Sequence, residues 1–110
     1  MRGELFGRLG QDQQALDDFS KALRLDPECS EAWEARADYY YLKVEGGDRH
    51  AVDSAAADYG RVIALKPRYM DGYKKRALLF AANKRTDLAD KDNAKADELA
   101  RAAKAHPFEL

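Results

Sequence analysis

The chain has 110 residues, of which 45% are apolar and 35% charged, and its formal net charge is −1. This length allows one domain or a short array of small units, and the apolar content argues against disorder. The charge argues against nucleic-acid binding, because neutralising phosphates requires a surplus of Lys and Arg. The longest apolar run, residues 77–82, is too short for a membrane span. Cys29 is the only cysteine, which excludes an internal disulfide, and we expect a cytoplasmic protein.

Apolar residues recur at steps of three and four along most of the chain, which is the spacing of one helix face. The stripe Trp33, Ala37, Tyr40 and Val44 is the clearest example. No window alternates apolar and polar residues as a strand does. Glycines and short polar runs separate the apolar segments, and a proline closes every second one. These patterns predict helices near 2–9, 11–26, 30–44, 48–66, 70–83 and 87–105. We expect the large aromatic residues of these helices to be largely buried between neighbouring helices: Trp33, Tyr40, Tyr59, Tyr73 and Phe80.

The pattern repeats along the chain. Pro27, Pro67 and Pro107 recur every 40 residues, and bulky and small residues precede them in the same phase. A fixed period of this size is typical of helical repeat proteins. We therefore expect a single repeat domain over residues 1–110. Its units lie at about 1–29, 30–69 and 70–107, and the first is incomplete because it begins inside its first helix.

The residues at the repeated positions resemble the tetratricopeptide family. Its pattern is a large aromatic, a small residue and a second aromatic on one helix, then Ala-x3-Phe and a closing Pro on the next. Unit two follows this pattern from Trp33 to Pro67, with Arg36 where the family has leucine. Unit three matches it with Tyr73 and Phe80, and more weakly with Lys95, Leu99 and Ala102. The resemblance implies an all-α, right-handed α-solenoid of helix pairs. The 40-residue period also allows a HEAT-like helical repeat.

The resemblance implies a non-catalytic scaffold that binds another protein. In this family the concave groove is lined by one face of each first helix, where a peptide or partner helix binds. The corresponding residues here are Glu31, Glu34, Asp38, Tyr41, Leu42, Asp71, Lys74, Lys75 and Leu78. Acidic side chains come from unit two and basic ones from unit three, so we expect a partner segment with apolar anchors and a complementary charge gradient.

Self-association is the alternative function. Because unit one lacks part of its first helix, its second helix is expected to leave an apolar patch uncovered at the N-terminal end, which favours a homodimer. The same feature suggests the C-terminal end of a longer array.

Catalytic and cofactor-binding patterns are weak in this sequence. His50 and His106 lie in different units, and neither has a nearby cysteine or serine in a triad-like order. An enzyme is therefore the least favoured function, and no metal or cofactor is expected. The carboxylate clamp with which relatives bind heat-shock chaperone tails is also excluded. Of the positions that match it, Glu4, Ala35, Asp71 and Lys75, only Lys75 has the required charge.

Each unit has an arginine on its first helix and an acidic residue just before the bulky residue of its second. We predict that these residues form salt bridges within each unit, because the planar guanidinium group can bind both oxygens of a carboxylate. The predicted pairs are Arg2 with Asp18, Arg36 with Asp58, and Arg76 with Glu98.

Overall fold

The computed structural model describes the backbone of residues 2–105 and the side chains of residues 13–104. The described part of the chain is all-helical. It contains five helices: α1 (Arg2–Leu25), α2 (Ser30–Glu45), α3 (Ala51–Leu65), α4 (Met70–Ala82) and α5 (Thr86–Ala105). The predicted side-chain roles of Arg2 and Glu4 lie outside the described residues, as do those of His106 and Pro107.

Residues 2–25 form one helix, so the predicted break at Gly10 is wrong. A glycine inside a helix costs only about 1 kcal/mol relative to alanine, and glutamines at positions 11, 13 and 14 favour helix. A helix hairpin at this point would need a proline or a strong turn sequence to overcome that preference, and neither is present. Unit one is therefore a single long helix in the structure, whereas units two and three are helix pairs.

The helices pack in chain order, with α2 against α3, α4 against α5, and α3 against α4. One buried cluster joins α2, α3 and α4 through Ala37, Tyr59 and Leu79. A second joins α4 and α5 through Phe80 and Ala89. Ala56 contacts both clusters, so a continuous apolar core runs through units two and three.

Three of the five aromatic residues predicted to be buried are buried: Tyr59, Tyr73 and Phe80. Trp33 and Tyr40 are only half-buried, so this expectation is wrong for them. The Trp33 ring lies between the guanidinium groups of Arg36 and Arg61, at 5.1 and 5.2 Å from its centroid. Its Nε1 donates a hydrogen bond to the Pro27 carbonyl at 2.8 Å. Such polar and cationic neighbours leave part of the indole open to solvent.

The second helix of unit three is shifted by six residues from the predicted register. The predicted positions Lys95 and Leu99 are half-buried and Ala102 is exposed. The residues that α5 buries are Ala89, Asp92 and Ala96. They correspond to Ala55, Asp58 and Val62 of α3, which are also buried.

The shift arises because the chain that leads from the first helix to the second is shorter in unit three. Helix α4 ends at Ala82, six residues after Arg76, whereas α2 ends at Glu45, nine residues after Arg36. The turn is shorter as well, since residues 83–85 take the place of residues 46–50. The register of α5 therefore follows the shorter α4 and the shorter turn, and the alignment of unit three on its proline predicted the wrong buried residues. The 40-residue period, which was the basis for the HEAT-like alternative, holds between α2 and α4 from Arg36 to Arg76, but the equivalent buried residues of α3 and α5 are 34 residues apart.

Candidate functional site

Two arginine–aspartate pairs hold the helices of units two and three together. Nε and Nη2 of Arg36 donate hydrogen bonds to both carboxylate oxygens of Asp58, at 2.7 and 2.9 Å. Arg76 binds Asp92 in the same way, with both bonds at 2.8 Å. The prediction for Arg36 is confirmed. The prediction for Arg76 is wrong, because the shifted register of α5 places Asp92 and not Glu98 opposite it.

Both pairs are well enclosed. The side chains of Asp58 and Asp92 are 5% and 7% exposed. The hydrogen bond to the aspartate, opposed by burial, raises the pKa of each arginine. These pairs fix the crossing of α2 on α3 and of α4 on α5, and so set the positions of the residues on the outer faces of α2 and α4.

Three of the predicted groove residues meet in one polar network between units two and three. Nζ of Lys75 on α4 lies 3.3 Å from Glu34 Oε2 and 3.1 Å from Asp38 Oδ2, both on α2. The sequence predicted that these residues lie on one surface. Glu34 and Asp38 were expected at the acidic end of a charge gradient and Lys75 at its basic end. In the structure Lys75 pairs with both carboxylates across the two units, which leaves these three residues with one net negative charge.

Two tyrosine hydroxyl groups complete this network. Tyr59 donates a hydrogen bond to Asp38 at 2.6 Å, and Tyr69 donates to Glu34 at 2.8 Å. Burial and the neighbouring carboxylate raise the pKa of Tyr59. The pKa of Lys75 is also raised, because Asp38 and Glu34 together outweigh the opposing effect of burial. We call these five residues the interhelix network.

The sequence did not indicate Tyr59 and Tyr69 as members of this site. Tyr59 was assigned to the core, where its ring does lie. A buried tyrosine hydroxyl usually needs a hydrogen-bond partner, and this rule is the signal that could have led to Asp38. Tyr69 lies just before α4, outside the helix periodicity, and nothing in the sequence pattern pointed to it.

The apolar residues predicted for the groove differ in exposure. Tyr41 is half-buried and packs against the core cluster of units two and three, and burial raises its pKa. Leu42 on α2 is 65% exposed and Leu78 on α4 is 61% exposed. Two leucines on the first helices of units two and three are therefore open to solvent.

The remaining groove residues lie outside the network. Glu31 is exposed and accepts a hydrogen bond from Lys66 at 3.2 Å. Its own backbone amide, followed by Lys66, lowers its pKa. Asp71 and Lys74 are exposed on α4. Whether any of these residues contacts a partner stays a prediction.

Within residues 13–104 no group of three or more His, Cys, Asp and Glu side chains lies close enough together to hold a metal ion. In the same part of the chain no helix combines the length and the apolar character needed to cross a bilayer.

Comparison with known proteins gives a likeness to a solved structure. No protein-family model matches the sequence, and no curated protein matches it. Among solved structures, the crystal structure of the MamA protein superposes with a TM-score of 0.75 at 23% sequence identity. The superposition covers 98% of this chain and 55% of that one, so this chain spans about half the length of its structural neighbour. The fold is a tetratricopeptide-like helical repeat. At this level of identity the likeness extends to the fold alone.

Proposed function

We propose that this protein is an interaction module without catalytic activity of its own, which binds a segment of another protein on the outer faces of α2 and α4. The observation that carries this proposal is the exposure of Leu42 and Leu78 on these two consecutive helices. Exposed leucines are common singly, but two on adjacent repeats provide two apolar anchor points for one partner segment. The helical repeat fold is consistent with such a role.

The interhelix network supports the same surface. Because Lys75 joins Glu34 and Asp38 across two helices, the relative position of α2 and α4 is held before a partner arrives. A surface fixed in advance loses less conformational entropy on binding. The apolar contacts would then supply most of the affinity, and the surrounding charges would set orientation.

The test is capture of binding proteins by the wild type and by the variant Leu42→Asp/Leu78→Asp. Both sites are exposed, so the variant should fold, which circular dichroism can verify. Leu25→Asp is the matched control, since Leu25 is 88% exposed at the end of α1. Proteins retained by the wild type and the control but lost by the double variant would be groove partners. Equal retention by all three would refute the proposed surface.

Self-association through α1 is a second candidate, favoured by a specific difference in burial. Ala15 and Phe19 of α1 are half-buried and Ala22 is exposed. Their counterparts one repeat later are all buried under α2: Ala55, Tyr59 and Val62. A second copy that covers this face of α1 would remove about the same apolar surface from water as α2 does in unit two.

Light scattering over a range of concentrations tests this second candidate. The mass of the wild type should rise towards that of a dimer, and Ala22→Lys should stay monomeric, because its charge would enter the covered face. Ala57→Lys, an exposed alanine of α3, is the control and should behave like the wild type. A wild type that is monomeric at every concentration would exclude self-association and leave the groove proposal untouched.

A further inference from the structure

A cavity of about 350 Å³ lies at the edge of the array, where the turn of unit two faces the turn of unit three. Its walls include Arg49, Val52 and Asp53 on one side and Ala82, Lys84 and Arg85 on the other. None of the predicted groove residues lines it. We call it the turn-edge cavity. The turns of units two and three differ in length. Arg49 of the first turn lines the cavity together with Lys84 and Arg85 of the second.

The turn-edge cavity is cationic. Arg49, Lys84 and Arg85 contribute three positive charges, and Asp53 contributes one negative charge. Nη1 of Arg85 lies 3.6 Å from Asp53 Oδ1, and the two side chains are 48% and 85% exposed. An exposed pair at this distance is weak, so a carboxylate from another molecule can compete with Asp53 for Arg85.

Lys84 adopts a backbone conformation that lysine rarely adopts. Its φ is +62°, in the left-handed region. Helix α4 ends there with the Arg85 amide donating to the Phe80 carbonyl at 2.8 Å and the Lys84 amide donating to Ala81 at 3.2 Å. Glycine is the usual residue at this position, because it has no Cβ to clash. Residues with strained backbone conformations cluster at functional sites, and Lys84 is in addition exposed and charged.

We propose that the turn-edge cavity binds the side chains of an acidic peptide segment of a partner protein, separately from the groove. Arginine forks pair with carboxylates through two hydrogen bonds, and Lys84 adds a point charge. Apolar contact with Val52 and Ala82 can accommodate the methylene groups of a glutamate. A nucleic-acid backbone fits less well, because it needs a continuous basic track, whereas the whole chain is slightly acidic.

Binding of a fluorescent hexaglutamate peptide to the whole chain, followed by anisotropy at low salt, tests this proposal. Lys84→Gly and Arg49→Gln should each weaken binding about fivefold, and the loss should shrink as salt rises. Lys91→Gln, an exposed lysine of α5, is the charge-matched control and should bind like the wild type.

Lys84→Gly gives a second readout that charge alone does not predict. Glycine relieves the left-handed strain, so this variant should melt about 4 °C higher while it binds the peptide more weakly. The proposal is overturned if the peptide binds all variants equally, or if a single-stranded RNA or inorganic phosphate binds the wild type more tightly than the peptide does. It is also overturned if Lys84→Gly melts lower than the wild type.

Discussion

Arg36 holds both carboxylate oxygens of Asp58, 22 residues further along the chain, at 2.7 and 2.9 Å. The equivalent pair in unit three joins Arg76 to Asp92 over 16 residues. The geometry of the pair is thus the same although the sequence separation of the paired residues differs by six. The arginine–aspartate contact fixes how two helices of a unit cross, and the difference in chain length is taken up by the shorter α4 and the shorter turn after it.

Loss of Arg36 should destabilise the protein. Arg36→Leu leaves Asp58 almost fully buried without its partner, and we expect the free energy of unfolding to fall by about 1–3 kcal/mol. Leucine is the usual residue of the tetratricopeptide pattern here, so a pattern-based argument alone would predict no loss. Urea unfolding followed by circular dichroism measures the difference, and a stability equal to that of the wild type would contradict a structural role for the pair.

Urea unfolding also distinguishes between two partners for Arg76: Asp92, which binds it in the structure, and Glu98, which the sequence predicted. Asp92→Asn should lower the free energy of unfolding by about 1–2 kcal/mol, because it removes the charge from two charge-assisted hydrogen bonds. Glu98→Gln should change it by less than about 0.5 kcal/mol, since Glu98 is exposed and its only described ion pair is with Lys95. A larger effect at Glu98 than at Asp92 would mean that α5 packs in the register predicted from the sequence.

The buried face of α5 gives an independent check of that register. Ala96 is 2% exposed, whereas Ala102 lies on the open side of the helix. Ala96→Asp buries a charge without a partner and should cost more than about 3 kcal/mol, while Ala102→Asp should be nearly neutral. Thermal melts of the two variants measure this contrast, and similar melting temperatures would contradict the observed packing.

The sequence predicted the helices well because their evidence is local. Steps of three and four identify α2 and α4 without knowledge of any neighbour, and the tetratricopeptide resemblance supplied the pairing of helices. Two errors remained, one in reading a local signal and one in aligning distant residues. Gly10 was read as a break, although a single glycine does not end a helix. Pro107 was aligned with Pro27 and Pro67 to predict which residues of α5 are buried. In the structure these residues are instead set by the pairing of Arg76 with Asp92.

The candidate site was less predictable for a related reason. Helix periodicity placed Glu34, Asp38 and Lys75 on one outer surface, and the structure does bring them together. Periodicity does not indicate whether such side chains face a partner or each other, because that depends on the distance between α2 and α4. Substitution of these residues would therefore change the fold as well as any binding, so they are poor probes of the groove.

The interhelix network predicts lower stability at alkaline pH. Tyr59 and Lys75 both have pKa values raised above their ordinary values of 10.0 and 10.5. Groups with a raised pKa stabilise the fold fully below the unfolded pKa, and that contribution is lost as pH rises through the folded pKa. The free energy of unfolding should thus decline above about pH 10.

Tyr59→Phe isolates the part of this decline that belongs to Tyr59. The variant should lose about 1 kcal/mol at neutral pH with the hydrogen bond to Asp38, and its stability should fall less steeply above pH 10. Urea titrations at several pH values measure both effects. Tyr40→Phe is a suitable control, because Tyr40 is half-buried on the same helix pair. Parallel curves for the wild type and Tyr59→Phe would contradict the assignment.

Once a groove partner is captured, its affinity should depend more on the leucines than on salt. The charges of Glu34, Asp38 and Lys75 are satisfied within the protein, so raising NaCl from about 50 to 500 mM should weaken binding by less than about threefold. Leu42→Ala and Leu78→Ala should each weaken it by about fivefold at every salt concentration, because each removes apolar surface from the contact. Leu88→Ala, on α5, is the control and should leave the dissociation constant unchanged. If salt weakens binding more than tenfold while the leucine variants bind normally, exposed charges such as Asp71 and Lys74 carry the interaction instead, and the partner is recognised by its charge.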